Sequence, residues 1–239
     1  MPEEEFEGAF GEILARERIE QYRMDYLSTK YIVGLDLGQS ADYTAVCVIR
    51  IHVHTKLQVV HLERLPLGTP YPAIVRHIKS LLNNPRLRGN STLVVDYTGC
   101  GRPVVDMIRD QGLSCEAVSI TSGGKVHQET DAKGRLLHNY MVPKVDLVSI
   151  LQVLMQNKKL SIAKGLKDGE TLARELKSFK AKISASGHTS YEAGTSWREE
   201  GNDDLVLSVA LACWYATKKE HPKMNLHMVK VLRSMQSFH

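Results

Sequence analysis

Residues 31–38 read Tyr-Ile-Val-Gly-Leu-Asp-Leu-Gly, and residues 92–99 read Thr-Leu-Val-Val-Asp-Tyr-Thr-Gly. Each is a short apolar run that closes on an aspartate and then on a glycine. Runs of this length, rich in Val, Ile and Leu, suit strands buried on both faces of a sheet. A carboxylate inside such a run is costly to bury without a partner or a cation. Asp36 and Asp96 are therefore the positions on which both fold and chemistry turn.

Outward from the first run, Thr44–His52 and Leu57–Arg64 are β-branched and partly alternating. They predict two strands that form antiparallel hairpins with the first. Pro72–Leu82 predicts a helix stopped by Asn83-Asn84-Pro85. The strand Thr92–Val95 runs into Asp96, and Arg102–Asp110 follows as a helix with Pro103 in its first turn, where a missing N–H is harmless. Cys115–Ile120 predicts another strand, 123–134 a polar loop, and Lys144–Gln156 a helix opened by Pro143. Leu160–Ala163 suggests a short strand, and Thr171–Ser178 a helix or a strand. Phe179–Ser184 and Thr189–Ala193 alternate around Gly187 and predict a β-hairpin, before the strongly apolar helix Asp204–Thr217. The order β-β-β-α-β-α-β, an insertion and a terminal helix is that of an RNase H-like α/β fold. That fold is a mixed five-stranded core sheet flanked by helices, here with an inserted β-hairpin before the last helix.

The chain has 239 residues, 43% hydrophobic and 24% charged, enough to bury a core without disulfides or metals. No apolar run approaches the ~20 residues of a membrane span. The start, Met-Pro-Glu-Glu-Glu, is the wrong charge for a secretory signal. Cys47, Cys100, Cys115 and Cys213 form no zinc spacing and fit reduced thiols. His52-x-His54 lies on a strand and fits an exposed edge better than a metal pair. Charge is uneven: residues 1–20 carry seven Glu against Arg16 and Arg18, so the formal net charge of +4 leaves +9 for the remainder. A basic body with an acidic leader fits a polyanion-binding surface.

Asp203 and Asp204 open the last predicted helix, and in this fold that helix docks across the ends of the first and fourth strands. Asp36, Asp96 and Asp204, 60 and 108 residues apart, then converge. Singly, each is also a common turn former or helix cap. Gathered carboxylates repel one another unless a cation sits between them, and hard oxygen ligands suit Mg²⁺ or Mn²⁺. Two such ions clamp a scissile phosphate.

The stretches GLDLGQSADYTAVCVI (34–49), LVVDYTGCGRPVVDMI (93–108) and NDDLVLSVALA (202–212) resemble the nuclease domain of viral genome-packaging terminases, large-subunit type. The resemblance implies a two-metal endonuclease that cuts double-stranded DNA with little sequence specificity and leaves 3′-hydroxyl and 5′-phosphate ends. It places Asp36, Asp96 and Asp204 as catalytic metal ligands, with Asp203 sharing or replacing the role of Asp204. It divides the chain into a linker helix (1–30, with apolar positions over 3–27), a nuclease domain (31–220) and a tail (221–239). It also implies an ATPase domain, a small terminase subunit, a portal and a capsid as partners, in the cytoplasm or nucleus of an infected host cell and not in a membrane or secreted. Large terminases carry an ATPase motor before the nuclease. Here no G-x-x-x-x-G-K-[ST] loop is present, Gly123-Gly124-Lys125 being the nearest approach. That fits an isolated nuclease domain or a stand-alone relative.

From Lys158 to Lys182 eight Lys or Arg face three acids. Lys177, Lys180 and Lys182 lead into the predicted hairpin, and Arg102 and Lys125 lie in loops on the expected active-site side. All five are candidate phosphate contacts, which give salt-sensitive, sequence-independent affinity. Three other readings remain. A Holliday-junction or hybrid-specific nuclease would share the fold, a DNA-docking module would use the acids structurally, and an actin-like ATPase would use Asp36-Leu37-Gly38 as a phosphate loop. The last needs two duplicated domains, which this length does not hold.

Overall fold

The computed structural model describes residues 30–38, 42–52, 56–99, 101–185 and 203–220. The leader over 3–27, the tail from 221 and the second hairpin arm Thr189–Ala193 lie outside the described residues, as do His54, Cys100 and His188.

The elements in chain order are β1 (Lys30–Asp36), β2 (Ala45–His52), β3 (Lys56–Arg64), α1 (Tyr71–Leu82), β4 (Ser91–Asp96), α2 (Gly101–Asp110) and β5 (Cys115–Thr121). They continue with β6 (His127–Thr130), β7 (Leu136–Pro143), α3 (Lys144–Gln156), β8 (Leu160–Ile162), α4 (Gly169–Ala185) and α5 (Asp204–Glu220). The strands form one eight-stranded sheet in the order β6-β7-β5-β4-β1-β2-β3-β8. β1 is antiparallel to β2 and parallel to β4. The expected five-strand core is present, extended at one edge by the β6–β7 hairpin and at the other by β8. Among the described residues no helix is long and apolar enough to cross a membrane.

Two apolar layers cover the sheet. On one face Ile32, Cys47, Val94, Val118 and Tyr140 pack with Leu147, Leu172, Leu205 and Trp214. On the other, Val33, Leu35, Val46, Leu93 and Val95 pack with Ile74 and Ile78 of α1 and Val104 and Ile108 of α2. Alternate residues of a strand share a face, so these two lists also sort the polar positions. Asp36 falls on the face of Ile32 and Gly34, and Asp96 on the face of Val94.

α5 lies directly on β1. A Cβ at Gly34 would stand 2.0 Å from the Ser208 carbonyl oxygen, so only glycine permits this approach. The Cys47 thiol of β2 donates to the same carbonyl at 3.2 Å.

Two expectations are corrected. Phe179–Ser184 is not a hairpin arm but the last turns of α4, which runs unbroken from Gly169 to Ala185. Its alternating Phe179-Lys180-Ala181-Lys182-Ile183 contains good helix formers, and a helix already nucleated upstream extends one residue at a time. The polar loop over 123–134 is partly the edge strand β6, paired antiparallel with β7.

Candidate active site

Asp36 and Asp96 are the last residues of β1 and β4, and are 5% and 4% exposed. The strands are parallel neighbours, with Leu35 paired to Val95. Both aspartates therefore follow a matched pair, and they lie on the same face at the same sheet edge. Gly101, the first residue of α2, packs so tightly on the Asp96 carbonyl oxygen that a Cβ there would approach to 2.9 Å. That contact fixes the chain where β4 ends.

The Asp96 carboxylate is held by a local turn. Its Oδ1 accepts the Thr98 amide N–H at 2.8 Å and the Thr98 hydroxyl at 2.5 Å. The Thr98 oxygen in turn accepts the Ile120 N–H at 2.8 Å, which ties the arrangement to β5. Thr98 thus sets the direction of Asp96 with neutral donors.

The acids of α5 are held by charge. Asp204 opens the helix and is 7% exposed. Arg64, at the end of β3, places Nη2 3.5 Å from Asp204 Oδ2 and hydrogen-bonds the Glu175 carboxylate of α4 more closely. Glu175 also accepts the Val206 N–H at 3.1 Å, so it caps the first turn of α5 from another helix. Burial pushes the Glu175 carboxyl up to about 7. The Arg64 guanidinium and the Val206 N–H pull it down, and the charges of Asp204 and Asp203 add to the rise. Asp203 sits one step outside the helix: its carbonyl accepts the Leu207 N–H at 2.9 Å, and its carboxylate pairs with Lys144 Nζ at 3.3 Å.

The α5 start lies toward the Asp36 edge. Arg64 pairs in the sheet with Ala45, and Ala45 pairs with Asp36, so the arginine that reaches Asp204 shares a row with Asp36. Ser208, one helical turn after Asp204, rests on Gly34, two residues before Asp36.

The three aspartates offer hard carboxylate oxygens, the donor type of Mg²⁺ or Mn²⁺. Among the described residues no three His, Cys, Asp or Glu side chains are gathered closely enough to hold a metal ion as they stand. The residues thus fit a divalent cation in donor type, burial and shared edge, and the cage is not preassembled.

Of the candidate phosphate contacts, Arg102 (second residue of α2), Lys125 (between β5 and β6) and Lys177 (α4) are exposed. β5 is parallel to β4, so the loop with Lys125 leaves the sheet at the Asp96 edge. Lys180 and Lys182 stand in α4, their side chains outside the described set. Cys47 and Cys213 are core residues, as is Trp214.

Sequence reasoning missed Arg64, Glu175, Thr98 and Lys144. Glu175 carried a signal: it falls three residues after buried Leu172 and beside Leu176, on the apolar stripe of α4. Arg64 carried one too, two residues after buried Leu62 on the core-facing side of β3.

A mixed sheet of this order, with α5 packed across β1 and β2, is an RNase H-like fold. Solved structures share the fold. The large terminase nuclease of thermophilic phage G20c matches with a TM-score of 0.53 and 21% identity, over 77% of this chain and 81% of that one. The same nuclease with bound magnesium matches equally, over 78% and 81%. The human cytomegalovirus terminase nuclease domain, Mn soaked, gives a TM-score of 0.48 and 15% identity, over 79% and 84%. No protein-family model matches the chain, and no curated protein does.

Proposed function

We propose that this protein is a metal-dependent endonuclease that hydrolyses phosphodiester bonds of double-stranded DNA, as in viral genome packaging. The observation that carries the reading is the placement of Asp36 and Asp96 at matched ends of parallel β1 and β4, with the α5 start laid toward them. Two carboxylates buried side by side on one face repel one another, and a divalent cation between them would relieve that repulsion. The G20c nuclease, solved with bound magnesium, supports the choice of metal.

In this reading Asp36, Asp96 and Asp204 hold Mg²⁺ or Mn²⁺, two ions in all. When bound, the ions activate a water and stabilise the leaving oxygen. Asp204 is favoured as the third ligand for its spacing to Ser208, which packs on Gly34, and Asp203 is the alternative. Thr98 keeps the Asp96 carboxylate on its heading. Glu175 fixes the first turn of α5 and so the place of Asp204. Exposed Arg102, Lys125 and Lys177 meet phosphates without reading bases, with Lys180 and Lys182 assigned to the same role. A terminase ATPase domain, small subunit, portal and capsid would supply the packaging context, and residues 1–30 and 221–239 would flank the nuclease domain.

The test is incubation of supercoiled plasmid with the purified chain in Mn²⁺, Mg²⁺ or EDTA, beside Asp36→Asn and Asp204→Asn. Metal-dependent nicking and linearisation are expected, and both variants should lose them. Cleavage confined to a four-way junction or an RNA·DNA hybrid would replace duplex DNA as the substrate. Plasmid retardation on a gel with no cleavage in any metal would leave a docking module instead.

A further inference from the structure

Resting on the reading of Asp204 as a metal ligand, we propose that Arg64 is a resident cation that competes with the divalent metal for Asp204. Glu175 is the carboxylate on which the guanidinium stays when the metal takes its place.

The geometry is that of one charge with two partners. Nη2 of Arg64 hydrogen-bonds Glu175 and stands 3.5 Å from Asp204 Oδ2. The nearer partner, Glu175, is anchored independently by the Val206 N–H. Release from Asp204 therefore leaves the guanidinium paired rather than bare. The Tyr43 ring lies under the guanidinium carbon at 4.9 Å, and the Arg64 side chain is only 16% exposed, so the charge is confined to this spot. Arg64 Nε is buried without a hydrogen-bond partner, so charge rather than a full set of hydrogen bonds holds the group here. An arginine cannot shed its proton in a protein, which makes the competing charge permanent.

The arrangement also answers a problem posed by the sheet edge. Asp203, Asp204 and Glu175 crowd the start of α5, where Arg64 and Lys144 meet them. Like charges this close repel one another. Arg64 lowers the repulsion and so sets how much metal is needed to displace it.

The test is calorimetric titration of the full chain with Mn²⁺ alone, with the Mn²⁺-induced shift in melting temperature as a second readout. Arg64→Gln removes the competitor and is expected to tighten Mn²⁺ binding by about tenfold, since a unit charge a few ångströms away in a partly buried site is worth at least that. Arg64→Lys keeps the charge and is expected to bind Mn²⁺ as wild type does. Glu175→Gln keeps the acceptor for Val206 but frees the guanidinium for Asp204, and is expected to weaken binding. Loss of affinity in Arg64→Gln, or no change, overturns the proposal. Should Arg64→Gln fail to fold, unchanged affinity in Glu175→Gln overturns it just as well. Asp204→Asn separates the two levels: if it binds Mn²⁺ as tightly as wild type, the metal-ligand reading itself fails and the competition falls with it.

Discussion

The two ends of α5 each meet buried acid, and they are built on opposite plans. At the far end, Glu116 of β5 stands alone. It accepts the Tyr215 hydroxyl at 2.8 Å and meets His138 Nδ1 at 3.1 Å. Lys218 lies 3.4 Å over the Tyr140 ring beside it, and burial pushes the Lys218 amine down while Glu116 raises it. Glu116 Oε2 is buried without a hydrogen bond, yet one acid is matched by one lysine. At the Asp204 end Glu175 and Asp204 share Arg64, and Asp203 meets Lys144. A carboxylate that meets its own cation and hydroxyl donors reads as architecture. Carboxylates that share their cations repel one another, and this is the arrangement on which the proposed metal site rests.

The comparison breaks most sharply by amide replacement. Asp36→Asn and Asp204→Asn are expected to lower the plasmid cleavage rate by more than about a hundredfold, the upper range for outer-shell partners of a metal. Glu116→Gln should cleave at the wild-type rate. Equal losses at both ends would erase the distinction.

Next in size is the contact that docks the helix. Gly34→Ala puts a methyl group against the Ser208 carbonyl and is expected to cost about 3 kcal/mol in urea unfolding, the upper part of the range for overpacking. Thr98→Val comes third. It removes a hydroxyl that holds Asp96 and is expected to lower Mn²⁺ affinity by about tenfold, while unfolding free energy falls by only about 1 kcal/mol.

The last comparison distinguishes two glutamates by pH. The Glu175 carboxyl is up at about 7 from an ordinary 4.5, so the folded chain holds a proton that the unfolded chain has released. Its contribution to stability is complete below the ordinary value and is lost as pH rises through 7. Glu63, paired with His61 and hydrogen-bonded to His77, is held down to about 2, and its contribution is lost as pH falls from 4.5 toward that value. Thermal melts of Glu175→Gln and Glu63→Gln across pH should each flatten the corresponding limb of the wild-type profile.

Much of this arrangement was legible in the amino-acid order. The apolar runs before Asp36 and Asp96 are buried strands, and the apolar Asp204–Thr217 is the helix laid across them. Local pattern sufficed there because both faces of those strands are covered. It failed where a face is bare: β6 is His-Gln-Glu-Thr, an edge strand whose polar residues look like loop. The alternation after Lys177 pointed to strands, whereas continuity with α4 decides for helix. The aspartates announced themselves by interrupting apolar runs. Thr98 needed the turn geometry, and the Arg64–Glu175 bridge joins residues 111 apart in sequence, which no local pattern encodes.

The Gly34–Ser208 contact has a consequence in time as well as in space. The Cys47 thiol and the carbonyl it reaches are 161 residues apart, so a chain emerging from the ribosome carries β1, β2 and β4 long before α5 exists. Contacts this distant in sequence form late in folding. Asp36 and Asp96 are in place at the ends of β1 and β4 before Asp204 and the last helix are made. A polypeptide interrupted anywhere before residue 204 lacks the helix whose Ser208 carbonyl packs on Gly34, and leaves that face of β1 and β2 uncovered.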